Sequence, residues 1–405
     1  MTRRAALVLL FGIFFAACAT QLYTIEDAGD AYQDGNYHQA LEITNHLLAE
    51  NPQNIDLLLI KASSIDELAV TVRDPFARND YYREFAHVAD QIRDVGDSDD
   101  LNRIRQLIHR AWSREVEAAE RFLESLEEDE SVQNYEPVIA HFDNAIIIRP
   151  NHADAYREKA AVHIRQGNHG ASVSTLHRAE ENLRPFPQDL KEKLAYLFLE
   201  EGKMDDAVEL YRQLYHSDPD NTEFKHALVN VYILSEQHME SVGLLRDLVE
   251  MAPENLDYHQ SLATELYYHI GQSLDSIRDS TLDEGEIDHA LEELLEDLEE
   301  AESHFRYVLD NHPNPEEVTF IAAAFYKNTA GRLASFARDV GGELAETLNR
   351  TAIDLLEQSV PIWEKVFERN PENPEVRNSL YQIYSALGME EEAEEIQLDI
   401  QEFES

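Results

Sequence analysis

The chain reads as all-α, a solenoid of stacked helical hairpins, on three observations. First, one hairpin pattern runs twice in register between Lys191 and Asn255, with Pro219 and Pro253 standing 34 residues apart. Second, residues at equal offsets from those prolines correspond: Leu194 with Leu228, Ala207 with Ser241, Tyr211 with Leu245, and Leu214 with Leu248. Third, every periodic segment carries its apolar residues at helical spacing. A fixed period of this length marks units of two helices that bury their apolar faces only by stacking on neighbours.

The best-formed unit shows how each element is specified. Leu194, Ala195 and Phe198 make one apolar helical stripe. Glu201-Gly202-Lys203-Met204 is a tight turn, with Gly202 placed to take the left-handed conformation after a helix end. Ala207, Tyr211 and Leu214 line the second helix, and the small Ala207 permits close approach. Asp218-Pro219-Asp220-Asn221 ends it, since proline lacks an amide hydrogen and restrains the residue before it. These residues resemble the tetratricopeptide repeat, with Met204 where that family usually has Tyr. The resemblance implies a right-handed α–α superhelix.

The same signature recurs, for about eight units over roughly residues 24 to 400. Gly35-Asn36-Tyr37 and Ala40 lead to Pro52; Tyr135, Phe142 and Ala145 precede Pro150, and Tyr156, Ala160 and Gly167 open the next hairpin. Ala301 and Phe305 precede Pro313, Trp363 and Val366 precede Pro371, and Leu380, Tyr384, Gly388 and Ala393 form a last hairpin. Spacing exposes the irregular parts. Pro253 to Pro313 is 60 residues and Pro313 to Pro371 is 58, so each hairpin there is expected to have both helices lengthened by about three turns. Pro52 to Pro150 is 98 residues and holds less repeat-like helices around Tyr81–Arg93 and Leu101–Leu126, separated by Asp97-Ser98-Asp99-Asp100. The long arms either form a further interface or cap and brace the array. The organisation expected is a leader at 1–17, a tether at 18–23, a hairpin with an irregular insert at 24–130, a regular array at 131–270, and elongated hairpins with a capping helix at 271–405.

Arg3-Arg4, the apolar run from Ala5 to Phe15, and Ala16-Ala17-Cys18 make a secretory leader too short to span a bilayer permanently. Its ending resembles the bacterial lipoprotein signal, with Phe15 where Leu is usual. That resemblance implies lipidation of Cys18, the sole cysteine of the chain, as the mature N-terminus. One cysteine also excludes an intramolecular disulfide framework. About six residues then separate the lipid from the first helix near Thr24, a reach of roughly 20 Å. The expected location is the bacterial cell envelope, lipid-anchored, on the outer membrane facing the periplasm.

Charge limits the partners. The net charge is -48, and loss of Arg3 and Arg4 with the leader makes the chain more acidic still. Such a surface repels phosphates and anionic headgroups, and no basic cluster is expected to interrupt it, so nucleic acid is not an expected partner. Eight lysines stand against 25 arginines, a balance that with the acid excess fits a salt-loving source. Stretches such as Glu292–Glu302 read as solvated helix faces.

No catalytic residue, metal ligand or cofactor site is read from the motifs. The 17 histidines include no HExxH or tight His/Cys set, and His163, His169 and His177 are spread over a turn and two helices. The acidic run Asp94–Asp100 lacks calcium-loop order, and neither a phosphate loop nor a nucleophile elbow is present. An acylated Cys18 is no nucleophile.

In tetratricopeptide proteins the first helix of each hairpin lines a concave groove. Carried onto this sequence, the groove positions include Arg157, Tyr196, Leu199, His226, Asn230, Ile233, Leu234, Tyr267 and Tyr268. Mixed aromatic, aliphatic and polar residues suit a protein partner's extended peptide or helix; packing between hairpins is the competing role for Leu199, Ile233 and Tyr267. The Lys/Asn/Arg set that clamps a C-terminal carboxylate in family members is absent. Two functions fit: an envelope-anchored adaptor in envelope assembly, secretion or pilus biogenesis, or a substrate-binding or regulatory subunit of an envelope enzyme or transport system.

Overall fold

The computed structural model describes residues 23–128, 134–279, 284–312 and 316–403. The leader, Cys18 and its lipidation lie outside the described residues. Eighteen α-helices and no strand occur among the described residues, so the all-α class expected from periodicity holds. The chain divides into two compact units, one ending at Leu197 and the other beginning at Phe198.

The first unit opens with α1 (Ile25–Gln33) and α2 (Tyr37–Glu50), and α1 starts on a capping box between Thr24 and Asp27. Helices α3 (Ile55–Thr71), α4 (Pro75–Val95), α5 (Ser98–Glu128) and α6 (Glu136–Ile148) follow. They share a core in which Leu58, Ile65, Tyr82, Phe85, Ile92 and Ile104 are buried. The acidic run that was expected to separate two helices is the start of α5. Asp97 accepts from the amides of Asp99 and Asp100 at 2.8 and 3.0 Å, and these bonds hold its carboxyl below the usual range. Helices α7 (Ala153–Arg165) and α8 (His169–Asn182) form a regular hairpin.

Helix α9 (Gln188–Glu200) carries the division between the units. Beyond it come α10 (Met204–Ser217), α11 (Thr222–Leu234) and α12 (His238–Met251), of 13 or 14 residues each. Gly202 takes φ +72°, as its turn requires; 34 positions on, Glu236 takes φ +56°, so a side chain sits where the earlier hairpin has glycine. The extra length in the later hairpins falls in both helices of each. Helices α13 (Leu256–Asp279) and α15 (Glu316–Asp339) have 24 residues, α14 (Glu284–Asn311) and α16 (Gly342–Arg369) have 28. Their facing stripes build one core from Leu266, Ile270, Phe305, Phe325 and Leu333. A smaller core of Trp363, Leu380 and Ile383 seats α17 (Pro374–Leu387).

One device recurs. Asn54, Asn221, Asn255 and Asn373 each follow a proline by two residues, and each side chain accepts an amide hydrogen of the helix it starts. The proline ends one helix and the asparagine caps the next. Among the described residues no helix is long and apolar enough to cross a membrane.

Candidate functional site

Within the second unit an open cavity of about 490 Å³ lies against α13. Glu265, Tyr268, Gln272 and Asp275 recur at spacings of three and four on that helix and face one way. The end of α11 adds Ile233, the following turn adds Glu236, the start of α12 adds His238, and α15 adds Arg332.

The polar groups inside are held in place. His238 Nδ1 lies 2.8 Å from Glu265 Oε2, and the Ser241 hydroxyl donates to the same oxygen at 2.7 Å. Both His238 and Glu265 are buried, so a paired arrangement is what makes a carboxylate tolerable there. The Tyr268 ring stacks on the His238 ring with centroids 5.2 Å apart, yet Tyr268 remains 49% exposed. Arg332 Nη1 donates to the Gly271 carbonyl at 2.8 Å and to Asp275 at 2.9 Å. Gly271 permits that approach: a Cβ there would stand 3.1 Å from Arg332 Nη1. The result is an aromatic shelf with fixed hydrogen-bonding groups of both charges beside it, an arrangement that recognises a chain of alternating apolar and polar groups.

The structure brings Ile233, Tyr267 and Tyr268 together at this cavity. Tyr267 also packs its ring edge-on against Phe325 at 5.7 Å and accepts from Asn328 at 3.1 Å. Leu234 and Asn230 are exposed on α11, whereas His226 is joined to Tyr258 at 2.6 Å. Leu199 is half-buried. In the first unit Tyr196 is exposed, and Arg157 is tied to Asp154 and Asp189 at 2.5 and 2.7 Å. Sequence reasoning missed His238, Glu265, Asp275 and Arg332. A buried acid in the apolar stripe of α13, Glu265, was the available signal.

The acidic surface is less uniform than composition implied. Leu101 to Arg114 contains Arg103, Arg105, His109, Arg110 and Arg114 and not one acidic residue, which corrects the expectation that no basic cluster interrupts the acidic surface. Among the described residues no group of three or more His, Cys, Asp or Glu is placed to hold a metal.

Comparison with known proteins bears on the regular part of the chain. Two tetratricopeptide-repeat models match, at residues 172–222 and 198–266. No curated protein matches the chain. Among solved structures, a MamA protein (MSR-1) is 20% identical, covering 50% of this chain and 96% of its own, with a TM-score of 0.31. YrrB, described as a TPR protein with an unusual peptide-binding site, is 14% identical over 59% of this chain and 96% of its own, at a TM-score of 0.36. The C-terminal part of a TPR repeat-containing protein from Cytophaga hutchinsonii is 9% identical over 88% of this chain and 99% of its own, also at 0.36. Residues 172–266 of this chain thus match the tetratricopeptide repeat.

Proposed function

We propose that the protein is an envelope-anchored interaction scaffold that holds an extended peptide segment of a protein partner against α13, in the service of envelope assembly, secretion or pilus biogenesis. The observation that carries the reading is the exposed Tyr268 ring, fixed by its stack on His238 at the mouth of a cavity with polar groups already oriented. A fixed aromatic ring offers large contact area with little entropy left to lose on binding. An apolar side chain of the peptide rests on Tyr268, and its backbone amides and carbonyls meet Asp275 and Arg332. The anchor in this reading is lipidated Cys18, with the protein on the outer membrane facing the periplasm.

Two measurements test the parts separately. Tyr268→Ala removes an exposed ring, so the variant should melt like wild type and lose the partners that wild type captures by crosslinking in native envelopes. Unchanged capture would move the site elsewhere. Cys18→Ser should release the chain to the soluble envelope fraction, and equal membrane retention of both forms would defeat the anchor.

A further inference from the structure

The first unit holds a second cavity, of about 700 Å³, formed where α4 and α5 meet the end of α6. Ile104 and Ile108 are buried beneath it, Leu101 is half-buried at its side, and Arg93, Arg105 and Arg149 stand around it. Several arginines elsewhere in this unit are matched to buried carboxylates. Arg110 and Arg114 both grip the fully buried Asp66, and Arg78 pairs with the fully buried Glu115. Two of the three arginines around the cavity have no such match among the described residues. Arg93 reaches an exposed aspartate, Asp90, whereas Arg105 donates to the neutral Asn102 at 2.8 Å. Arg149 lies over the Trp112 ring at 5.3 Å, and neither it nor Arg105 has a carboxylate within ion-pair distance among the described residues. In a chain with 81 acidic residues, carboxylates are abundant, yet this cavity is without them among its lining residues.

We infer that this cavity is a binding site for an acidic peptide segment of a protein partner, with an apolar side chain seated over Ile104 and Ile108 and neighbouring carboxylates received by Arg105 and Arg149. Guanidinium forks bind carboxylates through paired hydrogen bonds, which makes the recognition directional. The apolar floor favours a ligand that brings an apolar side chain over one that is purely ionic, because only the former removes apolar surface from water. The chain's net charge of -48 opposes approach of long polyanions such as nucleic acid, while a short acidic segment meets the local positive field within a Debye length of about 8 Å. The site is built mostly from the irregular insert, completed by Arg149, shares no residue with the groove on α13, and gives that insert a role.

The test uses the purified full chain and a blocked hexapeptide, acetyl-Glu-Leu-Asp-Glu-Leu-Glu-amide, which has no terminal carboxylate. Trp112 reports occupancy through displacement of Arg149, and a Trp363→Phe background leaves it the sole tryptophan. Saturable binding with a change in Trp112 emission is expected, weakened about tenfold for each guanidinium removed in Arg105→Gln and Arg149→Gln. The Gln/Asn version of the peptide should not bind. Absence of binding, equal binding of the neutral peptide, or undiminished binding by the double variant would overturn the inference. Citrate binding as tightly as the peptide would overturn the peptide as occupant. Arg105 is exposed, so Arg105→Glu alone decides the matter if the double variant fails to fold.

Discussion

The Nδ1 atoms of His259 and His304 lie 2.6 Å apart, a separation that places one proton between them. His259 donates its Nε2–H to the Pro253 carbonyl at 2.9 Å, so its Nδ1 accepts and His304 donates. The far nitrogen of His304, which carries a hydrogen only in the imidazolium form, stands 3.8 Å from Glu300, whose carboxylate receives Arg246 at 2.6 and 3.1 Å. The turn before α13 is thus linked through two imidazoles to α14, and through Arg246 to α12.

This linkage predicts an acid dependence. His304, then Arg246, hold the Glu300 carboxyl down to about 2 from its ordinary 4.5, against burial, which acts the other way. A folded-state pKa below the unfolded one contributes stability above about pH 4.5 that disappears as pH falls through about 2. Glu300→Gln should therefore melt below wild type at pH 7, by about 1 kcal/mol or less for a partly exposed pair. The gap should close steadily between pH 4.5 and 2. A gap independent of pH would take the carboxylate out of the cause.

Glu115 is the most heavily committed carboxylate of the first unit. It receives Arg78 at 2.9 Å, Tyr82 at 2.8 Å and Asn144 at 3.1 Å, and lies 2.6 Å from His141. Burial pushes its carboxyl up, but the bonds from His141, Asn144 and Tyr82 outweigh it and hold the group below its ordinary value. Glu115→Ala strands Arg78 and three hydrogen-bonding groups, so urea unfolding followed by Trp112 emission in a Trp363→Phe background should show a loss of about 3–5 kcal/mol. A loss under about 1 kcal/mol would mean that water replaces the carboxylate without strain.

How much of this was legible follows from the range over which each signal acts. Helix existence and hairpin turns are local, so Leu194, Gly202, Ala207 and Pro219 announced their unit, and even the elongated α13 to α16 could be read from proline spacing. Helix α5 was misplaced at its start because Asp97-Ser98-Asp99-Asp100 resembles a loop until Asp97 is seen capping it. The cavity on α13 was half legible: Tyr267 and Tyr268 fall at repeat positions, but His238 meets Glu265 across 27 residues and Arg332 meets Gly271 across 61. No local period encodes such pairings. The arginine-rich run in α5 was hidden by averaging charge over the whole chain.

Salt supplies a prediction that rests on charge alone. With a net charge of -48, like-charge repulsion opposes compactness, and it is screened as the Debye length shrinks from about 10 Å at 0.1 M to about 3 Å at 1 M salt. The melting temperature of the chain should rise between those concentrations of NaCl. Individual exposed pairs such as Arg83–Asp80 weaken over the same range, but they contribute little to begin with. A flat or falling response would reject the reading of the charge as a salt adaptation.

Gly271 separates stability from binding at the proposed groove. It is an interior residue of α13, where alanine is favoured over glycine by about 1 kcal/mol. The added Cβ would stand 3.1 Å from Arg332 Nη1 and 3.3 Å from Cζ, close enough to push the guanidinium aside but only against the flexible end of a side chain. Arg332 would loosen its bonds to the Gly271 carbonyl and to Asp275. Its side chain is 43% exposed, so that ion pair contributes about 1 kcal/mol or less. Gly271→Ala should therefore melt at or slightly above the wild-type temperature while capturing less of the partner. A melting temperature several degrees lower would show that Arg332 braces α13 against α15. Unchanged melting with unchanged capture would remove Arg332 from the binding surface and leave recognition to Tyr268 and its neighbours.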